Sequence, residues 1–320
     1  MYNETEKQFL KLLRKKRATM LNIWIKTAGI IFVIVIGYLM KKTGAFPAST
    51  AKTLSKLSIN ILLPFVYICN LNGLTLNGGL LSALLWGLGV NLVLLNTAFF
   101  LGRKKPKDVV FILMYCIPCF NVTGFAVPVL QLFASEYEVA SLIMFNIPIT
   151  FSFFILVPIL LQLNGAGEHD VSLKSIGRKL LSNVAAVTSL VMVLLCVLKL
   201  SLPDVLITAF RPLANANTAI ALLALGLLFE FPKGLPKLNL AALIVRVLIT
   251  AAAAALVLFD IIPFGTLKKA MIIVLFAPIP SASPAMALTQ GFEGSEIAFG
   301  VSTNLILSVI CMTILCSLLF

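Results

Sequence analysis

Long apolar stretches alternate with short polar intervals along the whole chain, and this pattern predicts a series of membrane-spanning helices. A helix needs about 20 apolar residues to cross a hydrocarbon core of about 30 Å. The first five stretches of this kind cover approximately residues 21–41, 52–71, 80–102, 110–133 and 139–163. The next five cover approximately residues 178–198, 205–229, 238–260, 268–290 and 296–319. The predicted fold class is therefore an all-α polytopic membrane protein with ten transmembrane helices.

The two groups of five spans repeat one another along the chain. A shift of 156 residues, the separation of Pro47 from Pro203, superposes every span of the first group on one of the second. The same shift superposes Pro128 on Pro284. Because each group has an odd number of spans, two copies must enter the membrane from opposite sides, which predicts an inverted repeat. The predicted segments are a basic N-terminal segment 1–20, a first five-helix repeat 21–163, a central loop 164–177 and a second five-helix repeat 178–320. The alternative is that two runs of helices of similar length overlay by chance.

Composition agrees with a membrane protein and excludes several other classes. Hydrophobic residues make up 60% of the 320 residues, charged residues make up 12%, and the mean hydropathy is +1.06. The net charge of +13 comes from cations clustered between the spans, so the expected partner is a lipid bilayer and not a nucleic acid. The six cysteines lie in apolar runs without other ligands at metal-binding spacing, so we expect no metal, disulfide framework or cofactor. An enzyme is not expected either, because the sole histidine, His169, lies in a polar loop and no hydrolase motif is present.

The distribution of Lys and Arg predicts the orientation in the membrane. Connections after spans one, three, five and seven carry clusters of cations, whereas those after spans two and four carry none. The positive-inside rule therefore places the odd connections in the cytoplasm and both termini outside. The six cations between residues 7 and 17 favour the opposite side for the N-terminus, and the sequence alone does not resolve this conflict.

Two apolar spans contain residues that interrupt a helix. Proline lacks an amide hydrogen and clashes with the preceding turn, which breaks or kinks a helix at a cost of about 3 kcal/mol. Interrupted backbone within the membrane is tolerated only where it is buried in protein or lines a wet cavity. Spans four and nine are therefore predicted to be broken helices that cross near the bilayer midplane, where half-helix N-termini would bind an anion. The candidate residues of this crossover are Asn121, Thr123, Gly124, Pro128, Ser281, Ser283 and Pro284.

Five stretches together resemble one family of membrane carriers. They are GAFP (44–47), AKTLSKLSINILLPF (51–65), NVTGFAVP (121–128), NANTAIALLALG (215–226) and APIPSASPAMAL (277–288). Their order and spacing are similar to those of the auxin efflux carrier family, which includes the plant PIN-type carriers, and a bacterial member is expected. This chain lacks the long hydrophilic central loop of many plant carriers. The density of Ser and Pro before Pro284 also departs from the family pattern.

The resemblance implies a fold and a mechanism. It implies two inverted five-span repeats, divided into a scaffold group and a transport group, with an elevator-like movement of the crossover. Bacterial members are linked to malonate and other organic acids. Carried over by position, Asn121 would contact a carboxylate, and Pro128 and Pro284 would hold the two broken helices.

Other polar residues within the spans have two or more interpretations. Asn60, with Asn215 and Asn217 near its repeat equivalent, would either line a substrate path or form hydrogen bonds between helices. Arg246 lies inside span eight, where an isolated cation is costly. It would attract an anionic substrate, pair with a helix terminus, or extend its side chain toward the nearer interface.

The function predicted from these patterns is secondary transport of a small organic anion, with a carboxylate as the expected head group, out of a cell across the plasma membrane. No carboxylate is deep in a span, which argues against a proton relay. The alternative is a sodium-coupled organic anion symporter that resembles the bile acid transporters. The sequence identifies neither the substrate nor the direction of transport, and it leaves open a homodimer formed through the scaffold spans.

Overall fold

The computed structural model describes residues 25–26, 28–47, 49–166, 181, 183–229, 236–288, 290–292 and 295–319, and these residues contain helices and no strands. Eight of the elements are α1 (28–42), α2 (Ser49–Leu71), α3 (Gly78–Gly102), α5 (Glu136–Leu163), α6 (Val184–Leu198), α7 (Asp204–Leu228), α8 (Lys237–Leu258) and α10 (Ser295–Leu319). Two further elements are interrupted. The first consists of α4a (Lys107–Cys116) and α4b, which combines a π-helical turn Val122–Ala126 with an α-helical turn Val127–Leu130. The second consists of α9a (3₁₀ Gly265–Leu267, α Lys268–Ile273, 3₁₀ Val274–Phe276) and α9b (Ser283–Leu288).

Among the described residues, six helices are long and apolar enough to cross a membrane, namely α2, α3, α5, α7, α8 and α10. This confirms the predicted class of an all-α, multi-pass membrane protein. The remaining four predicted spans correspond to α1, the two interrupted elements and α6, which is a shorter apolar helix. The predicted basic segment 1–20 and residues 167–177 of the predicted central loop lie outside the described residues.

The helices pack in two groups. One group contains α2, α6 and α7, and α1 joins it through a direct backbone contact with α7. A Cβ atom on Gly226 would lie 2.1 Å from the Ile34 carbonyl oxygen, and one on Gly37 would lie 2.5 Å from the Leu223 carbonyl oxygen. Only glycine fits at these two positions. The second group contains α3, α4a and α5 together with α8, α9a and α10.

In the part of the chain that the structure describes, three helices contain a π-helical turn that ends two residues before a proline. The turns are Ser58–Leu62 in α2, Val122–Ala126 in α4b and Ser152–Leu156 in α5, and they precede Pro64, Pro128 and Pro158 respectively. Proline cannot donate to the carbonyl four residues earlier and clashes with it. Widening that turn moves the carbonyl away from the ring, so the helix continues past the proline.

Candidate functional site

The first interruption lies between α4a and α4b. Helix α4a ends at Cys116, residues 117–121 are not helical, and α4b follows. Pro118 lies inside this segment, and a proline has no amide hydrogen to bond the carbonyl oxygen four residues earlier. The helical hydrogen-bond pattern therefore ends at this proline.

The second interruption has the same organisation. Helix α9a ends at Phe276, residues 277–282 are not helical, and α9b begins at Ser283. Pro278 and Pro280 lie inside the segment. The prediction of interrupted helices in spans four and nine therefore agrees with the backbone in both places.

The structure places the two predicted prolines just after the breaks. Pro128 lies within the α-helical part of α4b, after the π-helical turn, and Pro284 is the second residue of α9b. The first turn of a helix tolerates proline because its amide hydrogen would have no partner there. Pro118 lies inside the first break and Pro278 and Pro280 lie inside the second, whereas Pro128 and Pro284 are each the second residue of the α-helical segment that follows.

The two breaks contact each other directly. The Asn121 amide donates a hydrogen bond of 2.7 Å to the Pro278 carbonyl oxygen. Each break is also bound by an asparagine of a neighbouring helix. The Asn91 Nδ2 amide on α3 donates to the Pro118 carbonyl oxygen at 2.9 Å, and the Ile279 amide donates to Asn304 Oδ1 on α10 at 2.7 Å. The chain therefore crosses itself at two non-helical segments whose polar backbone has protein partners.

Asn121 is the N-cap of α4b. Its Oδ1 atom accepts a hydrogen bond of 3.1 Å from the Gly124 amide, and a Cβ atom on Gly124 would lie 2.4 Å from that oxygen. Gly124 is therefore required for the cap to form. Because Oδ1 is engaged, the half-buried Asn121 has its Nδ2 amide left to donate to a ligand.

Thr123 links the first turn of α4b to two other helices. The Tyr67 hydroxyl on α2 faces the side chains of Thr123 and of Asn146 on α5. Asn146 in turn donates from Nδ2 to Thr150 Oγ1 at 3.0 Å. This polar network connects the helix group of α2 with the group that contains the breaks.

Arg246 on α8 binds the ends of both half-helices α4a and α9a. Its Nη1 atom lies 2.7 Å from the carbonyl oxygens of Ile117 and Cys119, and its Nη2 atom lies 2.9 Å from the Ala277 carbonyl oxygen. The guanidinium also lies 4.1 Å from the centroid of the Phe120 ring. Of the three interpretations offered by the sequence, pairing with a helix terminus is confirmed. Neither extension to the interface nor an exposed position for ligand contact fits a side chain that is 2% exposed.

The described acidic residues all lie at helix ends, and none of them is buried. They are Asp108, Glu136, Glu138, Asp204, Asp260 and Glu296. The charge buried at the crossover is thus the positive charge of Arg246. Each helix C-terminus carries roughly half a negative charge, so the ends of α4a and α9a together balance it.

The remaining predicted residues are distributed over several environments. Asn217 is buried, and its Oδ1 accepts a hydrogen bond of 2.7 Å from Ser58 Oγ, which supports the inter-helix interpretation. Asn60 is exposed on the π-helical turn of α2. Ser281 is half-buried, and Ser283 is fully buried with an Oγ that has no hydrogen-bond partner. The predicted set is therefore not one continuous cluster.

A cavity of about 630 Å³ lies where α1, α2 and α7 meet the segment that follows α4b. Its lining is mainly apolar. The polar part includes Lys26, the ion pair between Arg211 and Glu136 at 2.7 Å, and Thr218, whose hydroxyl donates to Gln131 at 3.1 Å. Of the predicted residues only Asn215 lines this cavity, and Asn121 does not.

Sequence reasoning missed two contributors to this region, Asn91, which binds the first break, and Tyr67, which faces Thr123. Asn304 in span ten, which the sequence predicts to pack between helices, binds the second break. An asparagine within an apolar span is the sequence signal for Asn91 and Asn304, but it does not specify which backbone group is bound. Comparison of the chain with models of protein families and with curated protein sequences gives no match in either case.

Proposed function

We propose that the chain is a secondary transporter of a small organic anion with a carboxylate head group. The observation that carries this proposal is the crossing of two interrupted helices, joined by the bond from the Asn121 amide to the Pro278 carbonyl oxygen, around a buried cation. Interrupted helices within a membrane protein are characteristic of carrier sites. The ten spans, the inverted repeat and the membership of the auxin efflux carrier family are part of the same proposal.

The electrostatics of the crossover support an anion as the substrate. Arg246 balances the negative ends of α4a and α9a, which leaves the positive N-terminal end of α4b without a buried counter-charge among the described residues. A helix N-terminus leaves four amides without partners in the helix, and Asn121 Oδ1 satisfies one of them. A substrate carboxylate would accept hydrogen bonds from the others and from Asn121 Nδ2.

The cavity supports a substrate with an apolar body. It is lined mainly by apolar side chains, and its charged groups are two cations and one carboxylate. Because Gln131 and Leu132 directly follow α4b, the cavity would give access to the crossover from one side of the membrane. The substrate would leave this cavity when the access side changes.

The two packing groups support an elevator-like movement. The group of α1, α2, α6 and α7 would be the scaffold, and the group that contains both breaks would carry the substrate across the membrane. The membrane would be the plasma membrane. For an anion that leaves a cell with a negative interior, the potential supplies about 2.3 kcal/mol per charge per 100 mV, which is sufficient to drive efflux.

The test is a transport assay in liposomes that contain the purified protein. Charge movement and radiolabelled counterflow would be recorded with malonate, malate, succinate, pyruvate and indole acetate, with and without sodium and a pH gradient. We expect transport of at least one acid, and we expect Asn121→Ala to reduce it. Asn96→Ala is the matched control, because Asn96 is exposed on α3 and donates only to the Leu92 carbonyl oxygen of its own helix. Counterflow detects electroneutral exchange, so the absence of both signals for every acid would contradict the proposal.

A further inference from the structure

The guanidinium of Arg246 lies in a site lined by backbone carbonyl oxygens. Of its four carbonyl partners, Cys116 ends α4a, Ile117 and Cys119 belong to the first break, and Ala277 begins the second. These are uncharged acceptors that converge on one buried point from two separate chain segments. Carbonyl oxygens at the C-terminal ends of interrupted helices are the groups that bind sodium ions in many carriers.

The two prolyl carbonyl groups of the breaks are also occupied. The Pro118 carbonyl oxygen accepts from Asn91 Nδ2, and the Pro278 carbonyl oxygen accepts from the Asn121 amide. All five of these break carbonyls therefore bind donors of the protein. A free cation at this point would face the positive charge of Arg246 at close range and would compete with these donors for the same oxygens.

The charge of Arg246 is balanced by peptide groups. Within the described parts of the chain, the ion pairs involve Arg211 with Glu136 and Lys268 with Asp260, and neither involves Arg246. A buried cation without a carboxylate needs another source of negative potential. The ends of α4a and α9a, which both face Arg246, provide it.

We propose that the Arg246 guanidinium is a permanently tethered cation in the carbonyl site formed by the two breaks, so that the protein uses no dissociable coupling cation there. The consequence for transport, which is independence of sodium, rests on the proposed function. The occupancy of the carbonyl site by the guanidinium does not depend on it. If the proposal is correct, removal of the side chain leaves a vacant cation site that a free guanidinium ion can fill.

The first experiment measures thermal unfolding of the detergent-solubilised Arg246→Ala variant. We expect its melting temperature to lie about 5–10 °C below that of the unmodified protein, because two helix ends lose their counter-charge. Guanidinium chloride at millimolar concentration, far below the denaturing range, should restore at least half of this loss, whereas equal choline chloride should not. Arg103→Ala is the matched control, because Arg103 is exposed at the end of α3, and its melting temperature should respond equally to both salts.

Two outcomes would overturn the proposal. One is an Arg246→Ala variant that folds and is not stabilised by guanidinium more than by choline. The other is stabilisation of the unmodified protein by sodium relative to choline, because that result would require a dissociable cation site beside Arg246. Stabilisation of Arg246→Ala by sodium, with none in the unmodified protein, would support the proposal, since it would show that the carbonyl site binds cations once vacant.

A second variant covers the case in which Arg246→Ala does not fold. Arg246→Lys retains the positive charge but has one compact ammonium group in place of the planar guanidinium. It should therefore fold, with a melting temperature between those of Arg246→Ala and the unmodified protein. Arg246→Gln, which keeps donors without charge, should be less stable than Arg246→Lys. Equal stability of these two variants would show that the charge is not required and would contradict the proposal. Because none of these measurements uses a substrate, failure of the transport proposal would leave their result unaffected.

Discussion

The two breaks differ in the origin of their support. The first break carries its own cap, because Asn121 Oδ1 binds the Gly124 amide and α4b then continues through a π-helical and an α-helical turn. The second break leads into α9b, which has only six residues. Its side-chain hydrogen bonds come from other helices, from Asn304 on α10 and Arg246 on α8, and its local bond is the one from the Ser283 amide to the Pro280 carbonyl oxygen at 2.9 Å.

The first break is therefore shaped in part by its own cap, whereas the second depends on side chains of neighbouring helices. A local cap fixes the first turn of α4b whatever the neighbouring helices do, since donor and acceptor are three residues apart. The second break has no side-chain cap of this kind among the described residues, and both of its side-chain partners belong to α8 and α10. Ligand binding should therefore depend most on the first break, and the stability of the second should depend most on its neighbours.

The largest effect is expected from Asn121→Asp, which should keep the helix cap but lower the affinity for the ligand. Asp caps a helix as well as Asn does, so the melting temperature should change little. The variant loses the Nδ2 donor and places a negative charge near the substrate carboxylate, which should lower the affinity about 100-fold, or about 2.7 kcal/mol. Binding titration and thermal unfolding of the same preparation would check both parts. Unchanged affinity would remove Asn121 from the site.

A somewhat smaller effect is expected from Gly124→Ala. The added Cβ would lie 2.4 Å from Asn121 Oδ1 and would displace the cap, at an expected cost of about 2 kcal/mol in the free energy of unfolding. Gly89→Ala on α3 is the matched control, since nothing lies within 4 Å of its added Cβ, and it should be neutral or slightly stabilising. Denaturant unfolding would measure both variants, and equal stability of the two would show that the cap is not formed.

The second break is tested by Asn304→Ala compared with Asn91→Ala. The first variant leaves the buried Ile279 amide without an acceptor, and we expect a loss of about 1–2 kcal/mol. The second leaves the Pro118 carbonyl without a donor, which proteins tolerate better than an unpaired amide. Thermal unfolding should therefore rank Asn304→Ala as the less stable variant. The reverse order would show that the second break has support beyond Asn304.

The smallest effect is expected from Ser283→Ala at the start of α9b. The Ser283 hydroxyl is buried without a hydrogen-bond partner, so its removal should change stability by less than about 0.5 kcal/mol or increase it. Ser189→Ala is the comparison, because Ser189 is also buried but donates to the Ala186 carbonyl oxygen at 2.7 Å, and it should cost about 1 kcal/mol. If Ser283→Ala is the more destabilising of the two, the hydroxyl has a partner that this structure does not contain.

The sequence was sufficient to predict the class of fold and to identify the two spans that are interrupted. A long apolar stretch predicts a helix because every backbone amide and carbonyl within a bilayer needs a hydrogen-bond partner in the protein. Clustered prolines predict that the helix is interrupted. The sequence did not identify the proline of span four that lies inside the break. Pro128 is accommodated by the π-helical turn before it, whereas Pro118 ends a helix, and the two residues are chemically identical.

The sequence also did not predict the hydrogen-bond partners of the buried polar groups. Hydropathy indicates that Arg246 is deep in a span, but the carbonyl oxygens that it binds lie on α4a and α9a, far away along the chain. Asn121 was correctly placed at the crossover, while its role as a cap depends on the backbone of Gly124. Whether Asn121 also binds a substrate stays a prediction.

The π-helical turns have a consequence for the register of the helices that contain them. A turn closed by a bond over five residues holds one residue more than an α-helical turn, and one residue corresponds to about 100° of rotation. Every side chain of α2 after Leu62 is thus rotated by that angle relative to a regular helix. A helical wheel drawn through Ser49–Leu71 without this offset would assign its second half to the wrong neighbours.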